Sequence, residues 1–194
     1  EDDGILYLAL RYVEGPDLAA LIELAGPIEP KRLVRILSPI ASALDTADSH
    51  GLVHRDVKPG NILVGLGDQA YLSDFGLTKR RGSGSALTRT GQFVGTLDYV
   101  APEMIEGKEL TGAADQYSLA CVAFEALTGE RPFGRETDAA TLYAHLHEPP
   151  PSIRQLRHEL SGDEDEVVRR GMARRPETRC PPFQVRVAAS GRGL

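Results

Sequence analysis

The stretch His54-Arg55-Asp56-Val57-Lys58-Pro59-Gly60-Asn61 (HRDVKPGN), with Asp74-Phe75-Gly76 (DFG) following it, decides how this 194-residue chain is read. It places a carboxylate, an ammonium and a carboxamide within eight residues, and the second carboxylate comes thirteen residues after Asn61. Transfer of a phosphoryl group from a magnesium nucleotide requires that set. One group takes the acceptor hydroxyl's proton, a cation meets the moving phosphoryl, and hard oxygens hold the metal. Five fixed positions of this kind arise by chance at roughly one start in 20^5, so the motif is specific even before DFG is counted.

Working outward, the segment 54–61 is too polar for a strand and reads as a loop. Ile62–Val64 and Ala70–Ser73 flank Gly65-Leu66-Gly67-Asp68, the pattern of a small hairpin. That hairpin would carry DFG out of a strand end and bring Asp74 back towards Asn61. Upstream, Ile5–Leu10 is apolar enough for a buried strand, with periodicity alone leaving a helix open. Glu14-Gly15-Pro16 marks a turn, and Asp17 is placed to cap a helix over Leu18–Ala25. Pro30 suits a first helical turn, and Leu33, Ile36, Leu37, Ile40, Ala41 and Leu44 follow at the helical period to about His50, with Gly51 as a left-handed end. Pro39 inside this run is expected to bend or weaken it. Downstream, Thr78–Thr90 is polar and glycine-rich and reads as a surface loop. Ala101–Glu106 reads as a short helix, and Ala113–Leu127 as a helix buried on nearly all faces, capped by Gly129. Thr137–His147 and Asp163–Ala173 complete the helices. The segment 180–194 (CPPFQVRVAASGRGL) has neither period and reads as irregular.

The whole-chain balance excludes several classes. A hydrophobic content of 41%, 26% charged residues and a formal net charge of −6 describe an ordinary acidic globular domain without the basic footprint of a nucleic-acid binder. Cys121 and Cys180 stand in no metal-ligand spacing and read as reduced thiols of a cytoplasmic protein. The longest apolar run, Tyr117–Leu127, contains Glu125 and is too short to span a bilayer, so no membrane segment is expected in this chain. The opening EDDGILYLAL, without an initiator Met, suggests a piece of a longer parent, one that could itself be anchored in a membrane.

HRDVKPGN, DFG and Gly95–Glu103 (GTLDYVAPE) together resemble the eukaryotic-type (Hanks-type) protein kinases, in particular their bacterial serine/threonine branch. The resemblance runs in order from Ile5 to Arg179. It implies an α+β protein-kinase-like fold, mainly the helical C-terminal lobe, with a small β-hairpin at the catalytic loop. Residues 1–10 would be the last strand of the small lobe, 11–17 the hinge, 18–179 the large lobe and 180–194 a tail. The cofactors implied are ATP and Mg2+. Asp56 would accept or orient the substrate hydroxyl's proton, Lys58 would meet the transferring phosphoryl, and Thr96 would hold the two in register. Asn61 and Asp74 would ligate the metal. Leu10, Val13, Asp17 and Leu63 would join Lys58, Asn61 and Asp74 around the nucleotide, although Leu63 reads equally well as an ordinary core leucine. Protein substrates follow from the resemblance. So does phosphorylation of Thr88 or Thr90 by a second copy, as a homodimer, with Arg55 as the phosphate's partner. The resemblance also implies a buried Glu103–Arg179 ion pair, an Asp115 that accepts from the catalytic-loop backbone, and a His54–Phe75 stack of core residues rather than reactive ones.

Two departures temper this reading. The four lysines are Lys31, Lys58, Lys79 and Lys108, and none lies in a strand before the hinge where the family's phosphate-gripping lysine stands. Pro181-Pro182 blocks the further helix that the family runs into. The chain on its own is therefore expected to transfer phosphate negligibly. The competing class is a non-catalytic kinase-like binding scaffold. A small-molecule phosphotransferase is weaker, because GTLDYVAPE and the threonine-bearing loop suit a peptide acceptor.

Overall fold

The computed structural model describes residues 12–75, the backbone of 79–80, and residues 97–179. The strand expected over 5–10, with Leu10, lies outside the described residues, as do Gly76, Thr88, Thr90, Thr96, Cys180 and the 180–194 tail.

The helices form where period and caps place them. α1 (Leu18–Ala25) starts at Asp17, whose Oδ1 accepts from Ala20 N at 2.8 Å. α2 (Pro30–Ser49) starts at Glu29, whose Oε2 accepts from Arg32 N at 3.1 Å, and the chain leaves it through Gly51 at φ 72°. It runs continuously through Pro39. Ile36, Leu37, Ile40, Ala41 and Leu44 are all buried on one face, which offsets the backbone hydrogen bond a proline removes.

α4 (Gly112–Thr128) is the centre of the packing. Tyr117, Leu119, Cys121, Val122, Phe124, Ala126 and Leu127 are buried around its whole circumference, as an apolar helix with little amphipathic bias requires. α2 packs on one side of it and α6 (Gly162–Gly171) on another. The α6 contact is close enough that a Cβ on Gly171 would stand 2.6 Å from Ala120 Cβ, so only glycine fits there. α6 opens on a capping box between Ser161 and Glu164. α3 (Pro102–Ile105) and α5 (Asp138–His147) lie against the same core.

Among the described residues the strands are short and come in two pairs. β2 (Ile62–Val64) and β3 (Ala70–Leu72) are antiparallel with Leu63 opposite Tyr71, as the hairpin pattern predicts. β1 (Leu52–Val53) pairs with β4 (Lys79–Arg80), in the register Leu52↔Arg80 and Val53↔Lys79. This corrects the reading of Thr78–Thr90 as loop throughout: its Lys79–Arg80 portion is strand. β1 leads straight into the 54–61 loop, and its backbone groups need a partner that only a distant segment supplies. Among the described residues no helix is long and apolar enough to cross a membrane.

Candidate functional site

The 54–61 loop is held mainly through its backbone. Asp115, in the first turn of α4, accepts from His54 N at 2.7 Å and from Arg55 N at 2.8 Å. Those two bonds fix a sharp bend in which Arg55 takes φ 71°, a left-handed conformation that costs a non-glycine residue about 1–2 kcal/mol. Burial pushes the Asp115 carboxyl up to about 7, against the opposing pull of the two amides.

His54 is entirely buried, and its ring is engaged at both nitrogens. Asp56 N donates to Nδ1 at 3.3 Å, which leaves Nε2 to carry the proton and donate to Ser73 O at 2.9 Å. Burial holds the imidazole below its usual pKa, so it is a neutral strut. Phe75 meets it edge-on with ring centroids 4.6 Å apart, but Phe75 is 42% exposed. Only the histidine of that pair is a core residue, which corrects the expected core stack.

The polar groups then converge. Asp56 Oδ2 accepts from Lys58 Nζ at 2.8 Å and from Asn61 Nδ2 at 3.0 Å. Asn61 Nδ2 also donates to Asp56 O at 2.8 Å. Asp56 Oδ1 has no donor among the described residues. A turn over Pro59–Asn61 makes this possible, because it folds Asn61 back over Asp56. The β2–β3 hairpin adds Asp74: Ser73 N donates to Asn61 O at 2.8 Å, and Ser73 Oγ donates to Asp74 Oδ2 at 3.1 Å. Asp74 takes φ 61° and is exposed at this end of the hairpin. Asp56, Lys58 and Asn61 thus share hydrogen bonds, and Asp74 is joined to them through Ser73.

The other predicted positions among the described residues, Val13, Asp17 and Leu63, lie along β2. Gly15 has φ 147°, and a Cβ there would stand 2.1 Å from Val64 O, so the 12–17 segment presses directly on the strand. Val64 N donates to Pro16 O at 2.9 Å, and Asp17 bridges to Leu63. Val13 and Leu63 are half-buried, and one oxygen of Asp17 is occupied as the α1 cap.

A second cluster follows the first on the α4 side. Tyr99 OH donates to Glu125 Oε2 at 2.5 Å, Ser118 Oγ donates to Tyr99 O at 2.7 Å, and Arg131 pairs with Asp98 at 2.8 Å. Glu103 and Arg179 form the expected buried pair, with Nη1–Oε1 at 2.6 Å and Nη2–Oε2 at 2.9 Å. Sequence reasoning missed the Tyr99–Glu125 bond and the buried His145, whose Nδ1 lies 2.8 Å from Tyr117 OH. The one available signal was a polar residue recurring inside an apolar helix.

With this geometry in place, comparison with known proteins is informative. The family model described as the protein kinase domain matches residues 1–185. The chain belongs to the protein kinase family. It is 44% identical over 179 residues to serine/threonine-protein kinase PknH of Mycobacterium bovis, a match covering 92% of this chain and 30% of that protein. It is 44% identical over 180 residues to PknD of Mycobacterium tuberculosis, covering 92% and 27%. To PknE of the same species it is 43% identical over 179 residues, covering 92% and 31%. The chain therefore spans under a third of the length of these curated kinases. The bacterial serine/threonine-kinase resemblance and the mixed helix-and-strand architecture both stand.

Proposed function

We propose that this chain is the nucleotide- and acceptor-binding part of a serine/threonine protein kinase, which moves the γ-phosphoryl of ATP to a protein hydroxyl. The observation that carries the reading is the Asp56–Lys58–Asn61 cluster, with Asp74 joined to it through Ser73. Asp56 Oδ1, left without a donor among the described residues, takes the acceptor hydroxyl's proton or orients that hydroxyl. Lys58, with a side chain 26% exposed, reaches the transferring phosphoryl while it donates to Asp56 Oδ2 at 2.8 Å. Thr96 holds the pair in register.

The donor set suits magnesium. Asn61 Nδ2 is committed to Asp56, which leaves its amide oxygen as the ligand, and Asp74 supplies a carboxylate at the same end of the hairpin. Hard oxygen donors in small number are what a cation that keeps its waters requires. Among the described residues no cluster of three His, Cys, Asp or Glu competes for a metal. The ion, when bound, neutralises charge on the phosphate oxygens. Leu10, Val13, Asp17 and Leu63 enclose the nucleotide, with 1–10 as the last strand of the small lobe, 11–17 the hinge, 18–179 the large lobe and 180–194 a tail.

Loop phosphorylation at Thr88 or Thr90, carried out by a second copy, is favoured by one specific observation. Arg55 Nε is buried without a hydrogen-bond partner among the described residues, and burial weakens the hold of that guanidinium on its proton. A buried guanidinium N–H without an acceptor calls for an anion.

The test replaces the matching 179 residues of Mycobacterium bovis PknH with this chain's. Transfer of labelled phosphate from ATP to a serine/threonine peptide is then followed. We expect turnover that falls by about 10²–10⁴-fold in Asp56→Asn. A folded graft whose turnover is the same with and without Asp56 refutes the assignment and favours a binding scaffold.

A further inference from the structure

The end of α6 and the turn after it carry Arg169, Arg170, Arg174 and Arg175, four exposed arginines within seven residues. With Pro150 and Asp165 they line an open groove of about 820 Å³, to which no residue of the 54–74 stretch contributes. The last-turn position on α6 accounts for Arg169 and Arg170, since the helix dipole favours cations there. Arg174 and Arg175 lie beyond the helix and have no such reason.

The arginines are positioned more than they are neutralised. Arg169 Nε donates to Pro150 O at 3.3 Å, and Arg170 Nε to Thr178 O at 3.3 Å. Arg174 Nη1 donates to Leu146 O at 3.3 Å and His147 O at 3.4 Å. Among the described residues, Arg170 and Arg174 are thus held by neutral carbonyls, which anchor one edge of each guanidinium and leave its remaining donors outward. Arg175 pairs with Glu177 at 2.7 Å, but both are largely exposed and such a pair exchanges readily. Asp165 in the groove lining is turned inward: its Oδ1 accepts from Ser152 Oγ and Ile153 N, both at 2.8 Å. Its other oxygen stands 3.8 Å from Arg169. Four arginines therefore meet three carboxylates, Asp165 and Glu166 in the lining and Glu177 on Arg175, in a chain whose net charge is −6.

We propose that this groove docks an acidic peptide segment of a partner protein, with the arginine forks gripping glutamate or aspartate carboxylates. Guanidinium pairs with carboxylate in a planar, two-bond geometry, and the fixed edges keep the forks preorganised for it. The two carboxylates in the lining disfavour an unbroken phosphodiester chain, whereas a peptide spaces its charges and can avoid them. The chain's own 180–194 segment carries Arg186 and Arg192 and no aspartate or glutamate, so it offers these arginines no acidic side chain.

The experiment uses the full 194-residue chain. Its probes are a fluorescein-labelled peptide alternating glutamate and glycine, the glutamine counterpart, and a labelled oligothymidine, all read by anisotropy. The glutamate peptide should bind saturably and the glutamine peptide about tenfold or more weaker. Raising salt from about 50 to about 200 mM should weaken binding several-fold, because the contacts are exposed charges. In Arg170→Glu/Arg175→Glu, shown by circular dichroism to melt as the parent does, affinity should fall about tenfold or more. Arg170→Gln serves where the double variant fails to fold, and should lose a smaller part in the same direction. The proposal is overturned by no saturable binding, by equal binding of the glutamine peptide, by affinity unchanged in the folded variants, or by oligothymidine binding more tightly than the glutamate peptide.

Discussion

Removing Arg179 should be more damaging than removing its partner. Arg179 is fully buried, and its guanidinium holds both oxygens of Glu103, itself 4% exposed. It also donates to Ala173 O at 2.7 Å, Ala113 O at 2.8 Å and Arg174 O at 3.1 Å, and it lies 4.9 Å from the centre of the Tyr117 ring. Arg179→Met keeps most of the length and strands a carboxylate in the core, which costs about 3–5 kcal/mol. Losing the carbonyl contacts adds about 1 kcal/mol more. Against a domain stability of about 5–15 kcal/mol, that removes a large share. In urea melts with a slope of about 2 kcal/mol per molar, the midpoint should drop by about 2–3 M. Glu103→Met should cost about 1–2 kcal/mol less, since the stranded guanidinium keeps three carbonyl acceptors and a ring face. The double variant Glu103→Met/Arg179→Met should recover most of the stranded-charge part. A single Arg179→Met variant within about 1 kcal/mol of the parent, or a double variant no better than that single one, would refute the reasoning.

Other perturbations test other joints. Asp115→Asn offers one acceptor where two amides need one each, while it relieves a carboxyl that burial already holds up to about 7. Global stability should change little, but hydrogen exchange at the His54 and Arg55 amides should quicken by about tenfold or more; unchanged protection there would count against the anchor. Gly15→Ala forces a side chain to within 2.1 Å of Val64 O, so the segment should lift off β2 at a cost of about 2 kcal/mol, read as a lower melting temperature. Burial holds the His145 imidazole down at about 4, from an ordinary value of 6.5. The unfolded chain takes up that proton first, so the contribution is complete above about 6.5 and is lost as pH falls through about 4, up to about 3 kcal/mol. His145→Gln should flatten that part of the acid slope in paired urea melts. Asp115, whose raised pKa acts in the opposite sense, cancels in the comparison.

The sequence was most informative where period and chemistry pointed the same way. α2, α4 and the β2–β3 hairpin could be read because Leu33–Leu44 keeps a strict helical spacing, Tyr117–Leu127 is apolar all round, and Gly65–Asp68 punctuates two short apolar runs. The polar cluster could be read because HRDVKPGN places its groups within one turn of chain. The β1–β4 pair was not legible, since two residues give no alternation to detect and the partner lies beyond the hairpin. Nor was His145, which sits on a helix with a weak apolar bias and becomes buried only because Tyr117 and Phe133 close over it. Asp48 illustrates a further limit. Its Oδ1 accepts from Gly112 N at 2.8 Å, joining the end of α2 to the start of α4, and a single aspartate near a helix end gives no hint of so distant a partner.

The loop that carries the candidate chemistry is also the one whose shape its own propensities least favour. Arg55 and Asp74 both sit at positive φ, a conformation that costs each of them about 1–2 kcal/mol. Each distortion is held by bonds from outside its own segment: Asp115 fixes the amides around Arg55, and the Ser73 amide on Asn61 O fixes the approach to Asp74. The buried α4 helix supplies the first restraint and the hairpin the second, so the two strained turns are positioned relative to one rigid core. That arrangement lets Asp56, Lys58 and Asn61 meet within hydrogen-bonding distance, where a relaxed loop would spread them along its length. It also explains why His54 is fully buried and doubly bonded: a neutral imidazole spanning from Asp56 N to Ser73 O ties the two turns together directly. His54→Phe would keep the packing and drop both bonds. It should therefore leave the core intact while it loosens Asp74 relative to Asp56, a change that hydrogen exchange at Asp56 N would report.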